Sequence, residues 1–402
     1  MNNKKIEKCI IFLIVLLTYI GLINIASSTG LRGFKSNLEL VGEIAIASIF
    51  LLSFILIIFN NKNSIQWSPL VITFLLLLSW YFLATLWDPY QKFPKVALQL
   101  LSVGAFFTAI KTTNYPDYAL KLYLVMAMLF VLLAFAYTII EAQYARNSFI
   151  FANPNGFSSV LIFLTFPFSY RHFFSNKIRS KVFNIIIILV CFGMIYTTSS
   201  RSALGASACV MVFIFLCRMG LQKSILRYAY CFGIPLAIGT VFIYVNTYMA
   251  ADYNIINEIV REQTSKSLFS GREVIWPILM DTVKDNPILG LGSNAVPWYV
   301  IPITLSSHNL YLQVALQVGL TGLSLLTIIF GILFYRMSKI PVNIAIVGQS
   351  YLYAILLMCI FEVSLFQNNL SVALFQIPSI ALALNPKIMP LNVSPRNAPA
   401  RK

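Results

Sequence analysis

Apolar residues run along this chain in long blocks separated by short polar breaks. Twelve blocks are long enough, or nearly so, to cross a bilayer: residues 9–27, 40–59, 69–87, 96–110, 122–140, 157–170, 182–198, 203–217, 228–248, 310–335, 344–365 and 370–386. An upright helical span takes about 20 such residues. No series of alternating ten-residue segments marks barrel strands, and a span must close its own backbone hydrogen bonds, so helices are predicted. The first block follows Lys4, Lys5 and Lys8. It outruns a signal-peptide core of about 7–15 residues and lacks a small-residue cleavage site, so it reads as an uncleaved span. One connection is long: residues 249–309 mix polar and apolar positions, and connections of that length are usually functional. The predicted organisation is nine helices over 1–248, a substrate-binding segment over 249–309, three helices over 310–386 and a polar tail over 387–402. The fold class is an all-α polytopic membrane protein with about twelve transmembrane helices.

Composition agrees with that pattern. Hydrophobic residues make up 59% of the 402 and charged residues only 10%, against roughly 25% charged in soluble domains. This excludes a soluble enzyme, a disordered chain and a disulfide scaffold. The net charge of +16 has a topological explanation rather than nucleic acid as a partner. With the N-terminus inside, most of the 29 Lys and Arg fall in cytoplasmic loops, whose only acids are Glu7 and Asp117. That asymmetry fits twelve spans with both termini cytoplasmic. It also puts 249–309 on the outer side, between the ninth and tenth spans. The six cysteines lie within or beside apolar runs without metal-ligand spacing, and read as small hydrophobes.

Candidate chemistry is sparse, which makes it easier to weigh. His172, in a basic inner loop, reads as a surface residue. His308 opens the tenth span in Ser306-Ser307-His308-Asn309, where either serine can cap the helix. An imidazole there can act as a general base or be simply interfacial. Arg201 lies in the outer turn Thr197–Ser202, either facing a cavity or snorkelling to headgroups. Arg272 follows Ser270-Gly271, with Glu273 completing a capping box and Pro277 set to disturb the helix. A cation at a helix start either binds an anion with the helix N–H groups or pairs with Glu273 or Asp252. Gly290-Leu291-Gly292 reads as a turn and Asn153–Gly156 as a loop before the sixth span. Glu43 and Glu362 sit in apolar runs and hint at proton-coupled transport, with no evident basic partner. No D-x-D or E-x-D pair and no phosphate-binding loop appear, so neither a metal nor a nucleotide cofactor is expected.

These residues resemble a known family. His308-Asn309, nine residues and then Gly319-Leu320-Thr321-Gly322 fit the histidine motif of the bacterial O-antigen ligases. Ser270 through Trp276, and Asn286 through Gly292, are similar to the outer-loop signature of the wider ligase and polymerase superfamily. Arg201 resembles that family's other outer arginine. The resemblance implies a GT-C-like membrane fold and a bacterial inner-membrane location with the site facing the periplasm. It implies metal-independent, inverting transfer of a glycan from undecaprenyl pyrophosphate to lipid A–core. His308 is then the general base, Arg201 and Arg272 hold the pyrophosphate, and Asn309, Gly319 and Gly322 support the motif. A polymerase joining lipid-linked repeat units is the alternative within the superfamily. A lipid-linked sugar transporter is the alternative from another class, although no internal repeat or midplane polar cluster is evident.

Overall fold

The computed structural model describes residues 3–22, 35–60, 68–90, 92–140, 149, 151, 153–216, 239, 253–264, 272–301, 306–367 and 370–388. Its helices are α1 (Asn3–Ile20), α2 (Lys35–Asn60), α3 (Pro69–Ala84), α4 (Lys95–Thr112), α5 (Pro116–Ile140), α6 (Pro154–Leu164), α7 (Phe166–Phe174), α8 (Ile178–Thr197) and α9 (Arg201–Leu216). They continue as α10 (Tyr253–Thr264), α11 (Arg272–Asp285), α12 (Leu310–Met337), α13 (Val342–Phe361) and α14 (Leu370–Ala383). Among the described residues there is no β-sheet.

This is a helical membrane protein. Among the described residues, five helices are long and apolar enough to cross a bilayer on those grounds alone: Leu40–Asn60, Pro116–Ile140, Ile178–Thr197, Leu310–Met337 and Val342–Phe361. Large apolar side chains such as Leu51, Ile58, Leu133 and Ile178 point outward from them, as lipid-facing surface does. Among the described residues, then, five of the twelve expected spans meet that test of length and apolarity. Within the described residues the blocks at 69–87, 203–217 and 370–386 form apolar helices of 14 to 16 residues. The block at 157–170 is divided at Thr165, where α6 ends and α7 begins with Pro167 in its first turn. The block at 228–248 lies outside the described residues, as do Cys217 and Cys231. Cys191 and Cys359 are buried free thiols.

α13 is apolar around its whole circumference and is buried around most of it, the mark of a central helix. α9, α12 and α14 pack around it. At one end of the bundle, buried Glu7 gathers the start of α1 with the ends of α2 and α4. It accepts from Asn114 N (2.7 Å), Asn114 Nδ2 (2.9 Å), Asn60 Nδ2 and Thr113 Oγ1 (both 3.2 Å). Asn385, just after α14, donates to the Thr113 and Ile110 carbonyls at that same end. The opposite end carries His308.

The tenth block is not one continuous rod. Within α12, Val318 and Gly319 leave helical geometry, with Gly319 at φ 68°, ψ −173°, a region that essentially only glycine occupies. A break frees backbone carbonyls that must find partners in apolar surroundings. The Gly290–Gly292 turn supplies them: Leu291 N donates to Leu316 O (2.8 Å) and Gly292 N to Gln317 O (3.0 Å). Trp80 Nε1 donates to Val318 O (2.9 Å), and Leu320 N donates back to Pro287 O (2.7 Å). A Cβ on Gly319 would run into the Ile288 carbonyl, and one on Gly322 into the Val318 side chain. The two motif glycines therefore serve the backbone, allowing the 286–292 segment to dock on a broken helix. Gly319→Ala should destabilise the protein by at least about 1–3 kcal/mol. Gly193→Ala, where an added Cβ meets nothing within 4 Å, should be neutral or slightly stabilising. Thermal unfolding of the two variants in detergent checks the contrast.

Candidate functional site

The site is built on the residue that ends α13. Glu362 leaves the helix in extended conformation (φ −147°, ψ 150°), its N–H still bonded to Met358 O (2.8 Å). Its carboxylate is buried, and three segments converge on it. Asn155 Nδ2 donates to Oε1 at 3.0 Å. Arg272 Nη2 stands 3.9 Å from Oε1 and donates to the neighbouring Phe361 carbonyl at 2.9 Å. His308 Nδ1 lies 3.3 Å from Oε2. A carboxylate can only accept, so Nδ1 carries the proton and donates. In the neutral ring the lone pair then falls on the other nitrogen, Nε2.

Each partner is held by local structure. Asn155 belongs to the first turn of α6, whose N-cap is Asn153: its side chain accepts from Asn155 N (2.9 Å), with Pro154 at the first helical position. The stretch read as a loop is thus a helix start. Arg272 is the first residue of α11, which runs through Pro277 to Asp285 without stopping. Ser270 lies outside the described residues. Arg272 pairs with Glu362, 90 residues away along the chain, and its guanidinium also lies 5.9 Å from the Phe361 ring centroid. One turn along α11, fully buried Trp276 donates from Nε1 to Ser307 O (2.8 Å) and so fixes the residue before His308.

The cap of α12 is Asn309, whose side chain accepts from Leu312 N at 2.9 Å. It is neither of the serines expected there; Ser306 Oγ instead accepts from His308 N at 3.3 Å. His308 adopts a left-handed backbone (φ 47°), uncommon for a residue with a side chain and a recurrent feature of functional sites. That conformation turns the ring towards Glu362. The His308 side chain stays 31% exposed while those of Arg272 and Glu362 are 13% and 9% exposed. The ring is reachable and its supports are not.

Arg201 is exposed at the first residue of α9, after Ser199 in a left-handed turn (φ 52°). α9 packs along α13, where Phe213 clusters with Ile346 and its ring lies 5.4 Å from that of Tyr353, tilted by 39°. His172 stands apart, its Nδ1 3.2 Å from Lys181 O between α7 and α8. Glu43 is exposed on α2.

The geometry therefore joins an accessible imidazole, a buried carboxylate and a guanidinium. Such a set can take a proton from a hydroxyl at Nε2 and present positive charge beside it. A family model described as O-Antigen ligase matches residues 186–327, about a third of the chain, from within α8 past the break in α12. That segment is similar to the O-antigen ligase family. No curated protein matches the chain. The matched segment contains Arg201, Arg272, His308, Asn309, Gly319 and Gly322. A match to that family supports glycosyltransferase-type activity on lipid-linked glycans. Asn155 and Glu362 fall outside the matched segment, and sequence reasoning missed both as site residues. The signal for Glu362 was present: an acid in an apolar run is a functional hypothesis by default. Its partner lay hidden because His308 is 54 residues away and Asn155 is 207.

Removing the carboxylate strands a buried guanidinium. Glu362→Ala should cost on the order of 3 kcal/mol, and Glu362→Gln, which keeps the Asn155 bond, should cost clearly less. Denaturation of the two variants in one detergent measures the difference.

Proposed function

We propose that the protein is an O-antigen ligase, transferring a glycan from undecaprenyl pyrophosphate to a lipid A–core acceptor at the periplasmic face of the bacterial inner membrane. The observation that carries this reading is the shared carboxylate: Glu362 holds both His308 and Arg272. His308 Nε2 takes the proton of the acceptor hydroxyl as its oxygen attacks the anomeric carbon. The bond to the pyrophosphate oxygen breaks on the opposite face, so the configuration inverts. Arg272 and Arg201 take up the charge that grows on the departing pyrophosphate, in place of a metal. The glycan leaves its lipid and the imidazolium releases its proton to water. In this reading the bundle is a twelve-span, GT-C-like fold with both termini cytoplasmic, and the 249–309 segment covers the site from the periplasm. The family match is common to both superfamily readings, and the dominance of one long outer segment favours ligase over polymerase.

His308→Ala should abolish transfer while the protein still inserts, and Arg201→Ala and Arg272→Ala should each slow it by about 10²–10³. Lipopolysaccharide gels of a deletion strain carrying each variant, with the undecaprenyl-linked pool measured alongside, check this. Bare core with long chains left on the lipid carrier is the expected result. Core bearing a single repeat unit would make the protein a polymerase, and an unchanged ladder would exclude both.

A further inference from the structure

Beside the site stands a group of aromatic rings that the transfer chemistry does not use. Tyr90 follows α3, and Trp298 and Tyr299 lie in the single 3₁₀ turn Pro297–Tyr299. The Tyr90 and Tyr299 centroids are 4.2 Å apart at 60°, Tyr90 and Trp298 5.2 Å apart at 52°, and Trp298 and Tyr299 4.6 Å apart at 73°. The three rings form a corner, and Tyr90 and Trp298 remain 61% and 51% exposed.

A buried polar frame fixes that corner. Asp88 is fully buried and accepts from Asn294 N (2.8 Å), Tyr90 N (3.1 Å) and Tyr299 OH (3.4 Å). Gly292 lies against the Asp88 backbone, leaving no room for a Cβ. Asn294 Nδ2 in turn donates to Phe93 O at 3.0 Å, and its Oδ1 accepts from Val96 N. Burial and the Asp88 carboxylate push the Tyr299 phenol up to about 12, so it remains a donor at neutral pH. The corner is also tied to the site. Ala295 O accepts from Gln313 and Gln317 of α12, at 2.6 and 3.0 Å. Tyr299 packs on the small core of Trp276, Leu279, Leu312 and Leu316, and Trp276 is the residue that holds Ser307.

Aromatic residues that merely anchor a protein at the membrane interface come from helix ends and need no fixed mutual geometry. Here the rings come from two segments some 208 residues apart, are set at steep angles and are oriented by a buried carboxylate. An exposed, preorganised π face with polar edges fits the C–H face of a pyranose ring, which offers apolar C–H groups ringed by hydroxyls. We propose that the Tyr90–Trp298–Tyr299 corner is a saccharide subsite that stacks a pyranose unit of the glycan away from the bond being exchanged. This rests on the glycan-transfer reading for its ligand class.

The test uses the full-length protein in nanodiscs and the saccharide released by mild acid from the lipid-linked pool of the producing cells. Saturation-transfer NMR reads contact of the protein with pyranose C–H protons, independently of turnover. Wild type and His308→Ala should both show contact, and Trp298→Ala and Trp298→Leu should weaken it about tenfold. Trp298→Phe should retain most of it. With lipid-linked donor, Trp298→Leu should raise KM about tenfold, more than it lowers kcat. Contact and KM unchanged in Trp298→Leu would overturn the proposal and leave the corner an interfacial anchor, as would absence of contact in wild type. Saccharide contact that depends on Trp298 in a protein that transfers nothing would support the subsite while refuting the proposed reaction.

Discussion

One buried carboxylate organises the functional end of this molecule. Glu362 lies where a central, apolar helix stops, and a charge in that position is tolerable only if it is fully partnered. Its partners come from three remote parts of the chain: Asn155 at the start of α6, Arg272 at the start of α11, and His308 just before α12. Satisfying the charge therefore fixes the relative positions of three helix starts. The same bonds leave the imidazole with one nitrogen engaged and the other open. Glu7 plays the corresponding structural part at the opposite end, bonded only to neutral groups among the hydrogen bonds that define it.

The second constraint is the break in α12. A continuous helix from Leu310 to Met337 would need no loop beside it. With the helix interrupted at Val318–Gly319, the carbonyls of Leu316, Gln317 and Val318 need donors, and the 286–292 segment and Trp80 provide them. Docking that segment brings α11 alongside the first half of α12, which sets Trp276 under Ser307 and Arg272 beside Glu362. The glycines of the histidine motif and the histidine itself thus belong to one construction: the glycines permit the docking that the side chains then use.

Much of this was legible in the chain. Long apolar blocks announce membrane helices because hydropathy is a local property. Gly290 and Gly292 announce a turn because both take positive φ. His308 stood out because the chain has only two histidines, and Arg272 because Ser270 and Glu273 frame it as a helix start. Hydropathy could not show that a block is divided at Thr165 or at Gly319, since a break changes backbone direction without changing polarity. Glu362 was visible as an acid in an apolar run, but the groups that neutralise it are distant in sequence and meet it only through packing. Asn309 outcompeted the two serines as the cap of α12, a choice decided by the left-handed turn at His308.

The central claim is that Glu362 fixes the tautomer of His308 and so makes Nε2 the basic nitrogen. The chain has two histidines, so in a His172→Gln background His308 is the only ring to label. Solid-state ¹⁵N NMR of the histidine-labelled protein in lipid, above the ring's titration, reads which nitrogen carries the proton. The account predicts a protonated Nδ1 and a bare Nε2, with that preference lost when Glu362 is replaced by Ala. A proton on Nε2, or a tautomer indifferent to residue 362, would contradict it.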